Sequence, residues 1–506
     1  MNQISIFNFR LMSRLTGMML VYLSAGMLLP LAVSIHCGDG MQFALLVSGM
    51  LILMLGLFLR NILGGKTDYD LKENESYLIT LAVWLAVPLC GALPYIFTGV
   101  LNSFTDALFE SFSGFTTTGS SVVSLPEQLP ESLLTYRALT QWVGGLGLML
   151  FVVAILRKLT QGASRLYEAE FSGTQQRKLH PRLARSVTRM WTIYVVITFV
   201  MMVVMILNGT SVVDAFCLSC STVSTGGFVT HSSGLAILPE RTLIWVVVFM
   251  FLSGVNVAFL YRIFTLKWHK LWRDEELRTY VLLFVLAVAV CTTAFWTEGN
   301  GVEESLRYSL FHIASIMSTC GFYMPKPHHW SFLVSVLTFV LIVVGASSGS
   351  TGGGVKLRRI MIILKYIANY FSRMVHPNVV FRVKVNGEVV ENEYINKVFA
   401  FVFLYIMFII GGAFVLTLCG CSIPDAVCMA AANISNLGPS SLINSVGANL
   451  DYSMLPNLAK WTLTLLMLAG RLELFALIAV FSPAYWTANR RFRIRKVNKK
   501  TVVKNR

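Results

Sequence analysis

Apolar runs approaching the length of a membrane span recur along the whole chain, divided by short polar or basic stretches. An α-helix needs about 20 apolar residues to cross about 30 Å of hydrocarbon. The pattern predicts ten such spans, starting near Leu15, Met41, Tyr77, Arg137, Val187, Thr242, Thr279, Ser331, Tyr394 and Pro456. The first, from Leu15 to Val33 behind Arg10 and Arg14, has the charge order of a signal peptide, but no cleavage site follows and it reads as a span.

Between paired spans lie segments too short to cross, each about 12 moderately apolar residues ending in a polar cluster. Asp106 is followed by ALFESFSGFTTTGS, Asp214 by AFCLSCSTVSTGGF and Asp425 by AVCMAAANISNLGP, and 13 residues after each Asp stands Gly119, Gly227 or Gly438. A fourth copy, SLFHIASIMSTCGF, puts Gly321 13 residues after Tyr308, so it lacks only the leading acid. A repeat in constant register is one structural unit used several times.

Twelve helical residues rise about 18 Å, roughly half the hydrocarbon thickness. Each copy therefore reads as a re-entrant half-helix plus loop. Irregular backbone at membrane depth is tolerated only where it is buried in protein or lines a water-filled cavity, so four copies predict four walls of one cavity. Half-helices ending at a common centre point their negative dipole ends at it and favour a cation. The extended strands would offer main-chain carbonyls in place of its hydration shell. The candidate ion-binding residues are Thr116, Thr117, Thr118 and Gly119, then Ser224, Thr225, Gly226 and Gly227, then Ser318, Thr319, Cys320 and Gly321, and finally Ser435, Asn436, Leu437 and Gly438. The leading Asp is expected to cap its half-helix.

Composition agrees. Length alone would permit about three soluble domains, but a mean hydropathy of +0.67 with 55% hydrophobic and 13% charged residues excludes them. The 41 Lys and Arg against 25 Asp and Glu, net +16, sit in clusters between apolar spans and read as loops held on one side of a membrane rather than as a nucleic-acid surface. Predicted cytoplasmic clusters are Arg157 to Arg189, Lys267 to Arg273, Lys356 to Arg373 and the tail from Arg490 to Arg506; predicted outer stretches carry only Arg137, Arg241, Arg307 and Lys326. Both termini are thus expected in the cytoplasm. The basic tail reads as a lipid headgroup anchor. The nine Cys show no secreted disulfide spacing and are expected as buried thiols.

Two further features bear on a gate. The span from Ser331 reaches only Val344 before GASSGSTGGGVK interrupts it, and so short a helix cannot cross. The candidate gate residues are Gly345, Ser347, Ser348, Gly349, Gly352, Gly353 and Gly354, expected inside the membrane against the conduction path. The segment is not a nucleotide-binding loop, because Val355 separates Gly354 from Lys356. Arg471, expected near the middle of the last span, is costly there unless it faces water, a partner or the pore, and reads as a positive barrier; an ion pair to Glu473 or to a neighbouring unit is the alternative. Cys217 and Cys220 form a C-x-x-C inside a half-helix, and the His328–His329 pair lacks a metal-site spacing.

At the four glycine loops the chain resembles the Trk/Ktr/HKT superfamily of potassium transporters, most of all its bacterial TrkH branch. The resemblance spans essentially the whole chain, including two extra N-terminal spans and the stretch QWVGGLGLML from Gln141 to Leu150. It implies an all-α integral membrane fold with four pseudo-symmetric helix–pore loop–helix units around one pore. The units are expected at 71–165, 166–275, 276–385 and 386–490, after two helices within 1–70 and before a tail at 491–506. It also implies a gating loop in the third unit, a pore-facing arginine in the fourth, a homodimer in the bacterial inner membrane, and a cytoplasmic nucleotide-binding ring protein of the TrkA kind as regulator. Serine at the first filter glycine goes with sodium permeability in plant relatives. This chain keeps glycine at all four positions, which favours K⁺ as the transported ion, with no bound cofactor. A proton- or Na⁺-coupled secondary transporter is the rival reading, disfavoured because that class usually shows two repeats. No catalytic set assembles, so an enzyme is not expected.

Overall fold

The computed structural model describes residues 8–65, 73–148, 183–257, 259–260, 273–324, 332–376, 382–438 and 452–483. Six described helices are long and apolar enough to cross a membrane. Phe9–Cys37 and Gln42–Leu63 form an N-terminal pair, and Glu75–Phe97, Val187–Leu207, Glu275–Thr297 and Asn392–Leu418 are the outer helices that open the four units. The N-terminal pair crosses closely, for a Cβ on Gly17 would lie 2.6 Å from the Gly56 carbonyl oxygen; small residues at such a crossing let two backbones approach.

Each outer helix leads into a half-helix: Phe104–Phe115, Val212–Val223, Val302–Met317 and Ile423–Ile434. The expected leading acids do not themselves cap. In the second and fourth units the cap is Ser211 or Ser422, whose hydroxyl accepts from the amide of Asp214 or Asp425 and donates to its carboxylate. The acid thus stands in the first turn, where the positive helix end still favours it. In the third unit Glu303 and Glu304 supply that charge, and in the first Asp106 is paired with Lys460.

The inner helices depart from expectation. Glu131–Gly145, Glu240–Ser253, Phe332–Val344 and Asn457–Arg471 hold only 13 to 15 residues, about 20 Å of helix. Sequence predicts a break in the third alone; all four end at the same level. The fourth turns through 109° into Phe475–Phe481, so Arg471 sits at a helix end rather than mid-span, followed by Glu473 and Leu474 with positive φ. Close packing accounts for the first and the fourth. A Cβ on Gly144 would stand 1.9 Å from the Phe115 carbonyl oxygen, and one on Gly470 2.0 Å from that of Ile434, so these helices end flush against their own half-helices.

The apolar core is divided among the units, with one cluster around the N-terminal pair and first unit and one centred on each of the others, leaving a polar centre. Outer-helix side chains such as Phe199, Leu282 and Phe414 are exposed, as lipid-facing residues of a multi-pass membrane protein are. A small hairpin, Lys384–Val385 with Glu388–Val389, turns through Asn386 and Gly387 in left-handed conformation between the third and fourth units; the all-helical reading does not foresee it.

Three charge assignments change. Arg137 is not an outer-loop cation but is buried in an inner helix against Glu110. Lys356 and Arg359 are not cytoplasmic-loop cations but are buried against Glu473. Cys37 is exposed, and Cys90, Cys419 and Cys421 are half-buried, rather than interior thiols. The basic stretches within 149–182 and 261–272, Lys326, His328, His329, Asp451 and the tail lie outside the described residues.

Candidate functional site

The four half-helices end alike. Each C-cap residue, Thr116, Ser224, Ser318 or Ser435, has φ −78. The next residue is left-handed in every copy: Thr117 at φ 55, Thr225 at 56, Thr319 at 59 and Asn436 at 51. The residue after that donates its amide back five positions, Thr118 to Ser113, Gly226 to Ser221, Cys320 to Ser315 and Leu437 to Ala432, while the left-handed residue donates to Gly114, Thr222, Ile316 or Asn433. This is a Schellman cap four times over, with threonine or asparagine where glycine is usual. A non-glycine residue there costs roughly 1–2 kcal/mol. The sequence gives no sign of that strain.

The glycines of the candidate filter follow with φ between 75 and 90. They join the units into a ring. A Cβ on Gly119 would lie 2.4 Å from the Gly226 carbonyl oxygen, one on Gly227 2.2 Å from that of Cys320, and one on Gly438 2.1 Å from that of Thr118. The third and fourth units meet one level lower, where a Cβ on Gly353 would lie 2.0 Å from the Ser435 carbonyl oxygen. The units therefore follow chain order around one axis, and all four filter segments are buried throughout.

Buried carbonyls ordinarily find donors. Among the described residues, none donates to the carbonyl oxygens of Thr117, Thr118, Thr319, Cys320, Asn436 or Leu437. In the second unit Gln141 Nε2 donates to Gly226 at 2.6 Å. A ring of buried acceptors with few donors, beneath which four helices end, is an environment suited to a desolvated monovalent cation.

Directly below, Gly345 to Lys356 is buried except for the half-buried Gly353 and Gly354, and is tied down rather than loose. The amides of Val355 and Lys356 donate to Val343 and Val344 at 3.0 and 2.9 Å, closing its neck. Its tip reaches the filter ring, where Gly353 N donates to Thr319 Oγ1 at 2.8 Å and Thr351 Oγ1 donates to the Val223 carbonyl at 3.2 Å. Ser348 N donates to buried Glu276 at 2.6 Å, and Asn256 Nδ2 donates to the Ser348 carbonyl at 2.5 Å.

Arg471 spans the same level from the neighbouring fourth unit. Its guanidinium donates to the carbonyls of Gly144 and Gly145 at 2.5 Å each, to that of Thr351 at 3.0 Å and to Thr117 Oγ1 at 3.3 Å. Glu473 does not pair with it. That carboxylate is held by Arg359 and by Lys356, the latter at 3.8 Å. The cavity left between loop and arginine is about 20 Å³, room for roughly one water.

These features can be set beside known proteins. The sequence matches the TrkH family, described as cation transport protein, over residues 49–488. The chain belongs to the TrkH family. It is 32% identical over 489 residues to the Trk system potassium uptake protein TrkH of Salmonella typhimurium, covering 95% of this chain and 99% of that protein. It is 33% identical to the TrkH of Halomonas elongata, with 94% and 99% covered. The crystal structure of the potassium transporter TrkH from Vibrio parahaemolyticus matches with a TM-score of 0.85 at 29% identity, over 94% of this chain and 99% of that one. In this TrkH-family chain all of the expected filter and loop residues and Arg471 gather about one axis. Sequence reasoning misses four that join them: Gln141 and the Glu110–Arg137 pair behind the ring, and Glu473 below it. Only the charge of the last three, set within apolar segments, could have drawn attention.

Proposed function

We propose that the protein takes up K⁺ across the bacterial inner membrane through a carbonyl-lined filter at residues 116–119, 224–227, 318–321 and 435–438. The observation that carries this reading is the ring of glycine-to-carbonyl contacts, with buried carbonyl acceptors that have no donor among the described residues. Amide oxygens held at fixed spacing replace the hydration shell of one ion size better than another. Glycine at every filter position leaves room for that spacing, and the relatives' potassium uptake supports K⁺ as cargo.

The loop from Gly345 to Gly354 and Arg471 close the path beneath the filter. With about 20 Å³ between them, this arrangement is a shut gate, and Arg471 adds charge repulsion to steric closure. Both termini face the cytoplasm, the units divide near 71, 166, 276 and 386, and the working form is a homodimer regulated by a TrkA-like nucleotide-binding ring protein, as the Trk system of its relatives implies a multicomponent assembly. Four walls about one axis favour this over a two-repeat coupled transporter.

The test is expression in a bacterium lacking K⁺ uptake, on limiting K⁺, with and without the partner, followed by flux in liposomes. Growth rescue and Rb⁺ flux well above Na⁺ flux are expected. Equal Na⁺ and Rb⁺ flux would refute the filter assignment, as would an unchanged Na⁺ to K⁺ ratio in Gly119→Ser.

A further inference from the structure

One junction in the ring differs from the others. Arg137 and Gln141 stand four residues apart on the first inner helix, hence on one face, and that face meets the second unit. Gln141 Nε2 donates to the Gly226 carbonyl at 2.6 Å, while its Oε1 accepts from Ser221 Oγ at 2.7 Å and from Phe228 N at 3.3 Å. Arg137 lies 4.2 Å over the Phe228 ring, makes a long hydrogen bond of 3.5 Å to the Val229 carbonyl, and pairs with Glu110 at 2.8 Å. Glu110 in turn accepts from Val122 N at 3.0 Å and from Ser121 Oγ at 3.0 Å. One ion pair thereby ties together the strands leaving the first and second filters.

The tie is not a general need of the fold. Counting back from the glycine that ends each inner helix, the places of Arg137 and Gln141 are held by Val246 and Met250, by Leu337 and Leu341, and, from Gly470 aligned with Gly144, by Leu463 and Met467. The place of Glu110 is held by Leu218, His312 and Met429. Side-chain exposure is 2% for Arg137 and 0% for Glu110, so both charges carry a desolvation cost that apolar residues of similar volume would avoid. Gly226 is also the residue whose carbonyl faces Gly119. Its orientation is therefore set from behind by an amide, whereas Thr118, Cys320 and Leu437 have no such donor among the described residues.

We infer that Glu110, Arg137 and Gln141 are positioning residues for ion selectivity: they hold the second unit's strand from Gly226 to Val229 in place, so that the ring cannot shrink onto the smaller Na⁺. The inference rests on the filter reading above. A carbonyl already committed to a donor swings less toward a bound ion, and selectivity by carbonyls depends on the spacing and field that such motion would change.

The experiment compares full-length protein in liposomes carrying Gln141→Met, the residue of the second and fourth units, with protein carrying Glu110→Met and Arg137→Leu together, which copies the fourth unit without stranding a charge. Rb⁺ and Na⁺ fluxes are measured beside Gly119→Ser. Gln141→Met is expected to lower the Rb⁺ to Na⁺ ratio about fivefold, the weight of one neutral hydrogen bond, and the double variant to lower it further. If Gly119→Ser shifts the ratio while Gln141→Met changes both fluxes by the same factor, the clamp is only scaffold and the inference is overturned. If none of the three moves the ratio, the filter reading itself fails and takes the clamp with it. Gln141→Met removes no charge, so a folding defect confined to the double variant leaves the decision intact.

Discussion

The proposed filter ring and the helix breaks just beneath it are built from the same fourfold repeat yet have gone opposite ways. In the ring, four unlike sequences, TTTG, STGG, STCG and SNLG, adopt one backbone, with φ of the second residue confined to between 51 and 59. Below it, four helices stop at one level by four different means. The first ends in Gly144 and Gly145, the second at Gly254, the third in a buried loop from Gly345, and the fourth at Arg471 before a 109° turn. A ring of ligands works only if its members are equivalent, because the ion senses their common spacing. A gate needs only one part that closes and something to hold it, so equivalence brings no benefit there.

Variants that disturb the ring should therefore be the most severe. Gly438→Ala would place a Cβ 2.1 Å from the Thr118 carbonyl oxygen at a residue with φ 90, and both clash and strain are prohibitive for an L side chain. Rb⁺ uptake by purified, correctly assembled protein is expected to vanish. Persistence of more than a trace would mean that the ring of contacts is not the conduction path.

Below the ring, Glu473→Gln leaves Lys356 and Arg359 buried without their carboxylate, a change that typically costs about 3–5 kcal/mol. A lower thermal midpoint together with raised basal flux is expected. A lower midpoint with flux unaltered would separate that acid from the gate. Arg471→Ala removes four hydrogen bonds to neutral oxygens and one positive charge near the axis. Flux through the purified protein alone should rise about tenfold or more, as expected when a barrier falls by at least 1.4 kcal/mol, with ion preference retained because the ring is untouched.

Thr319→Gly probes the link between the two levels. It relieves a left-handed threonine, worth roughly 1 kcal/mol, and deletes the acceptor of the Gly353 amide. Stability is expected to hold while basal flux rises a few-fold, measured by thermal melting and Rb⁺ efflux; a rise in stability with no change in flux would show that the hydroxyl is idle.

The smallest effect belongs to the outer rim, where the Ser232 hydroxyl bonded to Glu127 holds that carboxyl below the usual range. A depressed carboxyl adds stability above its unfolded pKa and loses it as pH falls through the folded value. Glu127→Gln should flatten that acid-side loss of melting temperature and leave selectivity alone, since the contact lies outside the ring.

Much of this was legible in the chain. Constant spacing from Asp106, Asp214 and Asp425 to glycine located three half-helices of the expected 12 residues, since a repeated local motif carries its own geometry, whereas the third unit's half-helix, without the leading acid, runs to 16. The interruption after Val344 was legible because 13 helical residues cannot cross a bilayer. The other three inner breaks were not: hydropathy does not register that a half-helix carbonyl occupies the space where a side chain on Gly144 or Gly470 would go, or that the next unit's serine cap stands against Gly254.

By itself the sequence determined a membrane-spanning chain of four repeats, each with a glycine at a fixed distance from its half-helix, because hydropathy and spacing act through local physics. Tertiary structure alone decided which carbonyl faces which glycine, why Arg137 is buried rather than in an outer loop, and why Glu473 serves Arg359 and Lys356 instead of Arg471. Those outcomes depend on which charges and oxygens come together from separate elements, 27 residues apart for Arg137 with Glu110 and 114 for Arg359 with Glu473, and the energy of a charge in the membrane is set by the neighbours it meets there rather than by the segment that carries it.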